Sequence, residues 1–134
     1  RKKKMYKFSK SSEEKLATCH PDLQRLFNEV IKHVDCTIIC GHRGEKDQNE
    51  AFSNGFSTVK FPNSRHNSIP SLAVDVSKYP IKWNDREGFI NFAGYVKGVA
   101  DQLGIKITCG IDFNSDGNYK NGFFDGVHFQ IELK

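Results

Sequence analysis

Ser64-Arg65-His66-Asn67-Ser68-Ile69-Pro70-Ser71-Leu72-Ala73-Val74-Asp75-Val76 is the stretch on which the chain turns, and it needs one partner near the C-terminus, Phe124-Asp125-Gly126-Val127-His128-Phe129-Gln130-Ile131. Both segments alternate like strands. Leu72, Val74 and Val76 stand opposite Ala73 and Asp75; Val127, Phe129 and Ile131 stand opposite His128 and Gln130. Asp75 and His128 can therefore share one face of a sheet while the apolar residues pack behind it. With His66 they make two imidazoles and a carboxylate, and Asp125 is a further acid beside them. Three protein ligands with a fourth position left open are the pattern of a catalytic zinc site, whereas structural sites usually fill all four positions with protein ligands. A carboxylate inside an apolar strand is costly to bury unless it is paired or bound to a metal.

The remaining elements are read outward from this pair. Cys36 to Cys40 is an apolar, β-branched run that predicts a buried strand ending at Gly41, with both cysteines as small core residues. Arg43 follows that strand directly, so its position is fixed. His42 should face away from it by alternation. Before the strand, Ser11 to Glu14 reads as a capping box opening a short helix through Thr18. Pro21 suits a first helical position, and Leu23, Leu26, Phe27, Val30 and Ile31 predict an amphipathic helix over 21–34. After the strand come a polar helix over 45–54, a loop to Ser64, and a strand over 72–77. Asn84 or Asp85 should cap the longest helix, 86–103, which Gly104 ends. Strands over 105–109 and 127–133 complete an α+β domain with a small, mainly antiparallel sheet that carries the site on one face.

The chain is 134 residues, enough for one domain with a real core. Net charge is +4, from 20 basic and 16 acidic residues. Arg1-Lys2-Lys3-Lys4 accounts for all of it, and these four residues read as a tag or linker remnant ahead of a domain over 5–134. The basicity thus sits in the tail, which argues against a nucleic-acid partner. No apolar run is long enough for a membrane helix, and no secretory h-region stands near the start. Cys19, Cys36, Cys40 and Cys109 include no CxxC pair, so no disulfide framework is expected.

The motifs Ser-Arg-His-Asn…Ala-Val-Asp-Val and Asp-Gly-Val-His resemble those of the zinc peptidases of the D-alanyl-D-alanine carboxypeptidase type, and most of all the L-alanyl-D-glutamate endopeptidases that serve as phage endolysins. The resemblance runs from Met5 and takes in His20-Pro21-Asp22-Leu23, Gly41-His42-Arg43, Tyr79-Pro80-Ile81-Lys82-Trp83-Asn84 and Gly110-Ile111-Asp112-Phe113. The step from His66 to Asp75 is longer than in many relatives, with Pro70 inside it. The resemblance implies a sheet-based fold shared with the hedgehog signalling domain, Zn²⁺ on His66, Asp75 and His128, and Asp125 as general base. Arg43 would stabilise the oxyanion. Ser64 would bind substrate or cap a turn, and Gln48 would line the cleft with it.

Asp112 would brace the site from behind. The segment from Asp112 to Asn118 also matches the first half of a calcium loop, but Phe123 stands where such a loop needs Glu, so a polar turn is expected. The implied function is a monomeric peptidase of bacterial peptidoglycan, held in the host cytoplasm until release to the wall. Two alternatives stay open: a D-Ala-D-Ala carboxypeptidase or dipeptidase, and a non-catalytic zinc-binding interaction domain.

Overall fold

The computed structural model describes residues 5–115, 117–118 and 124–133. The proposed tag, Asp116 of the polar loop, and Tyr119 and Phe123 lie outside them. Four strands form one antiparallel sheet: β1 (Cys36–Cys40), β2 (Ala73–Lys78), β3 (Ile107–Cys109) and β4 (His128–Ile131), in the order β1-β2-β4-β3. Among the described residues, four α-helices accompany it: α1 (Lys10–Leu16), α2 (Pro21–Val30), α3 (Glu45–Ser53) and α4 (Arg86–Leu103).

Register decides which side chains share a face. Asp75 pairs with His128 and Ala73 with Gln130, so these four occupy one side; Val74 pairs with Phe129 on the other. That second side is the core. Phe129 sits under the edges of Phe27 at 5.4 Å and Phe92 at 6.1 Å, which brings α2 and α4 onto the sheet. Leu23, Leu26, Phe27, Val30, Val74, Val76, Val96, Ala100 and Phe129 have no exposed surface. The opposite face is covered at one end by α1, where Ser12 Oγ lies 3.1 Å from Thr37 Oγ1 and accepts from Ile38 N at 3.0 Å. The other end of that face is open.

Two predicted boundaries move for local reasons. Helix α1 begins one residue before Ser11, because Ser9 is the cap and accepts from Ser12 N; Ser12 is spent on β1. Helix α2 stops at Val30, since Lys32 N and His33 N bond back three residues, to Glu29 O and Val30 O, and close the end as a tighter turn. Asp85 caps α4 by accepting from Gly88 N at 3.1 Å, and Gly104 ends it at φ 72°. There Ile105 N returns to Ala100 O, so β3 starts only at Ile107.

Candidate active site

The open part of the sheet face forms the floor of a cavity of about 600 Å³ whose lining includes Arg43, Ser64, His66, Asp75, Asp125 and His128. Three neighbouring strands supply it. Asp75 lies on β2, His128 opens β4, and Ile39 lies near the end of β1, with Arg43 just beyond it. His66 sits in a single 3-10 turn, Arg65–Asn67. Ser64 fixes that turn: its hydroxyl accepts from His66 N at 3.1 Å, while Asn67 Oδ1 accepts from Ser64 N at 2.9 Å.

Asp75 is the junction. Its Oδ1 is 3.2 Å from His66 Nε2 and 3.4 Å from His128 Nδ1, and its Oδ2 is 3.5 Å from Arg43 Nη2. His66 is 2% exposed and Asp75 and His128 are each 8% exposed, so these charges are held away from bulk water. Each imidazole is oriented by its other nitrogen. His66 Nδ1 lies 2.8 Å from Gly41 O, and His128 Nε2 lies 2.8 Å from Gln130 Oε1. Gln130 is itself oriented, since its Nε2 donates to Glu132 Oε1 at 3.1 Å, and Arg65 holds Glu132 at 3.4 Å.

A carbonyl and an amide oxygen only accept, so each ring carries its hydrogen on the outer nitrogen and, when neutral, turns a lone pair towards Asp75. Acceptors facing one another at these distances need something positive between them. Ligand atoms about 2.0–2.1 Å from a tetrahedral zinc ion lie about 3.4 Å apart, so the observed spacings suit a shared small cation. Two groups of three donors gather around Asp75, Cys40/His66/Asp75 and Asp75/Asp125/His128, with the donor atoms of each group within 4.8 Å of one another; Asp75 belongs to both, and His66 and His128 to one each. The donor chemistry therefore fits zinc.

Without a metal, protons do the same work. Burial disfavours the charged form of His66, but its bonds to Asp75 and Cys40 outweigh this and raise it to about 10. Burial likewise pushes Asp75 up, and the hydrogen bonds and charges of His128 and His66 overcome it and hold the carboxyl well below the usual range. Asp125 moves the other way: burial first, and the Asp75 charge second, raise it against the pull of His128 and His66. Two carboxylates in one site are thus driven apart, the usual arrangement of a proton-carrying acid beside a fixed anion.

The chain matches the family of phage L-alanyl-D-glutamate peptidases over residues 4–133. It belongs to that family. It is 34% identical to the L-alanyl-D-glutamate peptidase of Escherichia phage T5, over 94% of this chain and 98% of the relative. Its fold is similar to that of the L-Ala D-Glu endopeptidase ChiX of Serratia marcescens, with a TM-score of 0.73 and 28% identity over 93% of this chain and 89% of that one. Like its family, the chain is a peptidase, and the small antiparallel sheet with helices is the shared fold.

The structure places the other expected residues less uniformly. Gln48 does not line the cavity of this family member. It is fully buried and accepts on Oε1 from Arg43 Nη1 at 3.1 Å and Asn67 Nδ2 at 3.2 Å, while its Nε2 donates at 2.8 Å to both Ser57 Oγ and Val59 O. Its polar atoms are spent on holding Arg43 and the loop to Ser64. His42 lies beyond the end of β1, where strand alternation no longer applies, and its Nδ1 meets Ser68 O at 3.0 Å. Asp112 accepts from Gly117 N at 2.7 Å in the predicted polar turn, where Ser115 and Gly117 take φ of 55° and 79°.

Cys40 is the correction of most consequence. Regular alternation puts it on the core face with Cys36 and Ile38, but the register shifts between Ile38 and Cys40, so that Cys40 pairs with Asp75. This bulge turns Cys40 onto the site face beside Ile39, which lines the cavity. No sequence signal marks the bulge. Gln130 was within reach of the sequence, since it stands two strand positions after His128 on the same face.

Proposed function

We propose that this chain is a zinc endopeptidase that hydrolyses the L-alanyl-D-glutamate bond of the peptidoglycan stem peptide, acting as a monomeric phage endolysin. The observation that carries the reading is Asp75 between two oriented imidazoles, at 3.2 and 3.4 Å, on the floor of an open cavity in a chain of this family. His66, Asp75 and His128 would hold the metal. Zinc, once bound, supplies Lewis acidity to the scissile carbonyl and to water.

The chain's own residues do the rest. Asp125, raised by burial, takes the proton of the attacking water and returns it to the leaving amine. Arg43, steadied by Gln48, presents its guanidinium to the developing oxyanion. Ser64 shapes the rim through its cap on the His66 turn, and Phe56, Trp83 and Phe113 offer apolar walls to the substrate. Among the described residues no helix is long and apolar enough to cross a membrane. The proposed route is accumulation in the host cytoplasm and later release to the wall.

Digestion of purified peptidoglycan with and without a zinc chelator, followed by mass analysis of the released ends, tests this reading. New N-terminal D-glutamyl or D-isoglutaminyl ends that vanish with chelator are expected. Free D-alanine would instead establish a carboxypeptidase. Zinc binding with no product from several wall types would leave only an interaction domain.

A further inference from the structure

The segment that leads from β2 into α4 frames a second pocket, of about 250 Å³, whose lining includes Ser77, Lys78, Tyr79, Lys82, Asp85 and Phe89. It adjoins the catalytic cavity. Trp83 lines that cavity, and its ring centre stands 6.1 Å from that of Phe89, which lines the second pocket. Phe89 is packed against Gly126, where an added Cβ would meet its Cγ at 2.9 Å, and Gly126 directly follows Asp125. The second pocket therefore lies on the Asp125 side of the site. Along β2, Ser77 follows Asp75 on the same face by alternation, about 7 Å further on.

A base that returns its proton to the leaving amine must stand on the leaving side of the scissile bond. The pocket beyond Asp125 thus faces the D-glutamyl fragment, and about 7 Å is the reach of two extended residues. Its charge is basic. Lys78 and Lys82 are exposed, and among the described residues neither forms an ion pair. Among the described residues the lining sets one acid against them, Asp85, whose Oδ1 is already spent on Gly88 N at 3.1 Å. We propose that this pocket is the subsite for the residue that follows D-glutamate in the stem peptide, and that Lys78 and Lys82 select a carboxylate on the side chain of that residue. The exposed Tyr79 ring offers an apolar wall to the methylenes that carry it. The inference rests on the endopeptidase reading and on Asp125 as its base.

The test compares kcat/KM of the full zinc-supplied chain for two soluble disaccharide muropeptides. Both carry L-Ala-D-Glu-diaminopimelate-D-Ala, with the side-chain carboxylate of diaminopimelate free in one and amidated in the other. The free form should be preferred about fivefold at low salt, the upper end for an exposed ion pair, and the preference should shrink as salt is added. The double variant Lys78→Ser/Lys82→Ser should equalise the two by raising KM for the free form, with kcat unchanged and the amidated form cleaved as before. Lys82→Glu should favour the amidated form. Equal turnover of the two by the unaltered chain, or an undiminished preference in the double variant, overturns the pocket assignment and leaves the endopeptidase reading standing. Cleavage of neither muropeptide between L-Ala and D-Glu overturns the endopeptidase reading, and the pocket assignment falls with it.

Discussion

Replacing Gln48 with leucine tests whether the site depends on a residue that no substrate touches. The change keeps roughly the same volume and removes four hydrogen bonds: those accepted from Arg43 and Asn67 and those donated to Ser57 and Val59. Three are between neutral groups, at about 1 kcal/mol each, and the bond from the Arg43 guanidinium contributes about 2 kcal/mol, for a gross loss of about 5 kcal/mol. Burying the leucine side chain at a fully enclosed position returns about 2 kcal/mol. The net expectation is a destabilisation of about 3 kcal/mol, which for a domain of this size lowers the melting temperature by about 10 °C. Urea denaturation gives the stability change, a thermal melt gives the temperature shift, and peptidoglycan turnover measured well below the new melting temperature gives the effect on catalysis. Arg43 loses its lateral tether, so kcat should fall more than KM rises. A stability change under about 0.5 kcal/mol, the range of an ordinary surface substitution, would refute the hydrogen-bond accounting. A clear loss of stability with unchanged kcat would refute the link from Gln48 through Arg43 to catalysis.

Asp125→Asn should leave metal content unchanged by elemental analysis while lowering turnover by about 10²–10⁴-fold, the range for loss of a general base; retained activity rejects the assignment. Gly110→Ala should cost about 1–3 kcal/mol in a thermal melt and abolish most activity. A Cβ there would collide with Asp125 O and come within 2.9 Å of His128 Cβ, forcing apart the segment that carries both residues; a fully active variant would show that the segment can yield. Cys19, Cys36 and Cys109 should resist alkylation at pH 8 until the chain is denatured. Burial raises them to about 12, 12 and 11, which leaves at most about one thiolate in a thousand at that pH; rapid labelling of the native protein at these three would contradict it.

The parts of the molecule that could be read from sequence are those where one periodicity decides the outcome. Helix α4 has an Asp at its start, an apolar stripe and a Gly at its end, and each does what its chemistry predicts. Strands β2 and β4 alternate cleanly, and the register follows the alternation, so Asp75 and His128 meet. The reading failed where a residue had two satisfactory uses. Ser11 and Ser9 could each cap α1, and the choice fell to Ser9 because Ser12 bonds to β1 across the fold. Gln48 in a polar helix reads as a residue lining the cleft, and only the loop that folds over it makes it a buried brace. The β1 bulge depends on a partner strand more than thirty residues away, as Cys40 must sit beside Asp75.

Sheet order explains why so much chemistry converges on Asp75. Strand β2 lies between β1 and β4, so its site-facing carboxylate has neighbours on both sides: Cys40 and Arg43 from one, His128 from the other. The 3-10 turn before β2 adds His66 from the same chain segment. A buried carboxylate with a single partner would stay costly to ionise, since burial alone drives its pKa upward. Here two imidazoles reverse the direction, and the Arg43 guanidinium stands 3.5 Å away. The neighbouring acid, Asp125, moves upward under burial and the Asp75 charge, against the pull of the same two imidazoles. One strand order thus yields one carboxylate fixed as an anion, suited to hold a cation, and one poised to carry a proton. A bond-cleaving centre needs both, and a purely structural metal site would need only the first.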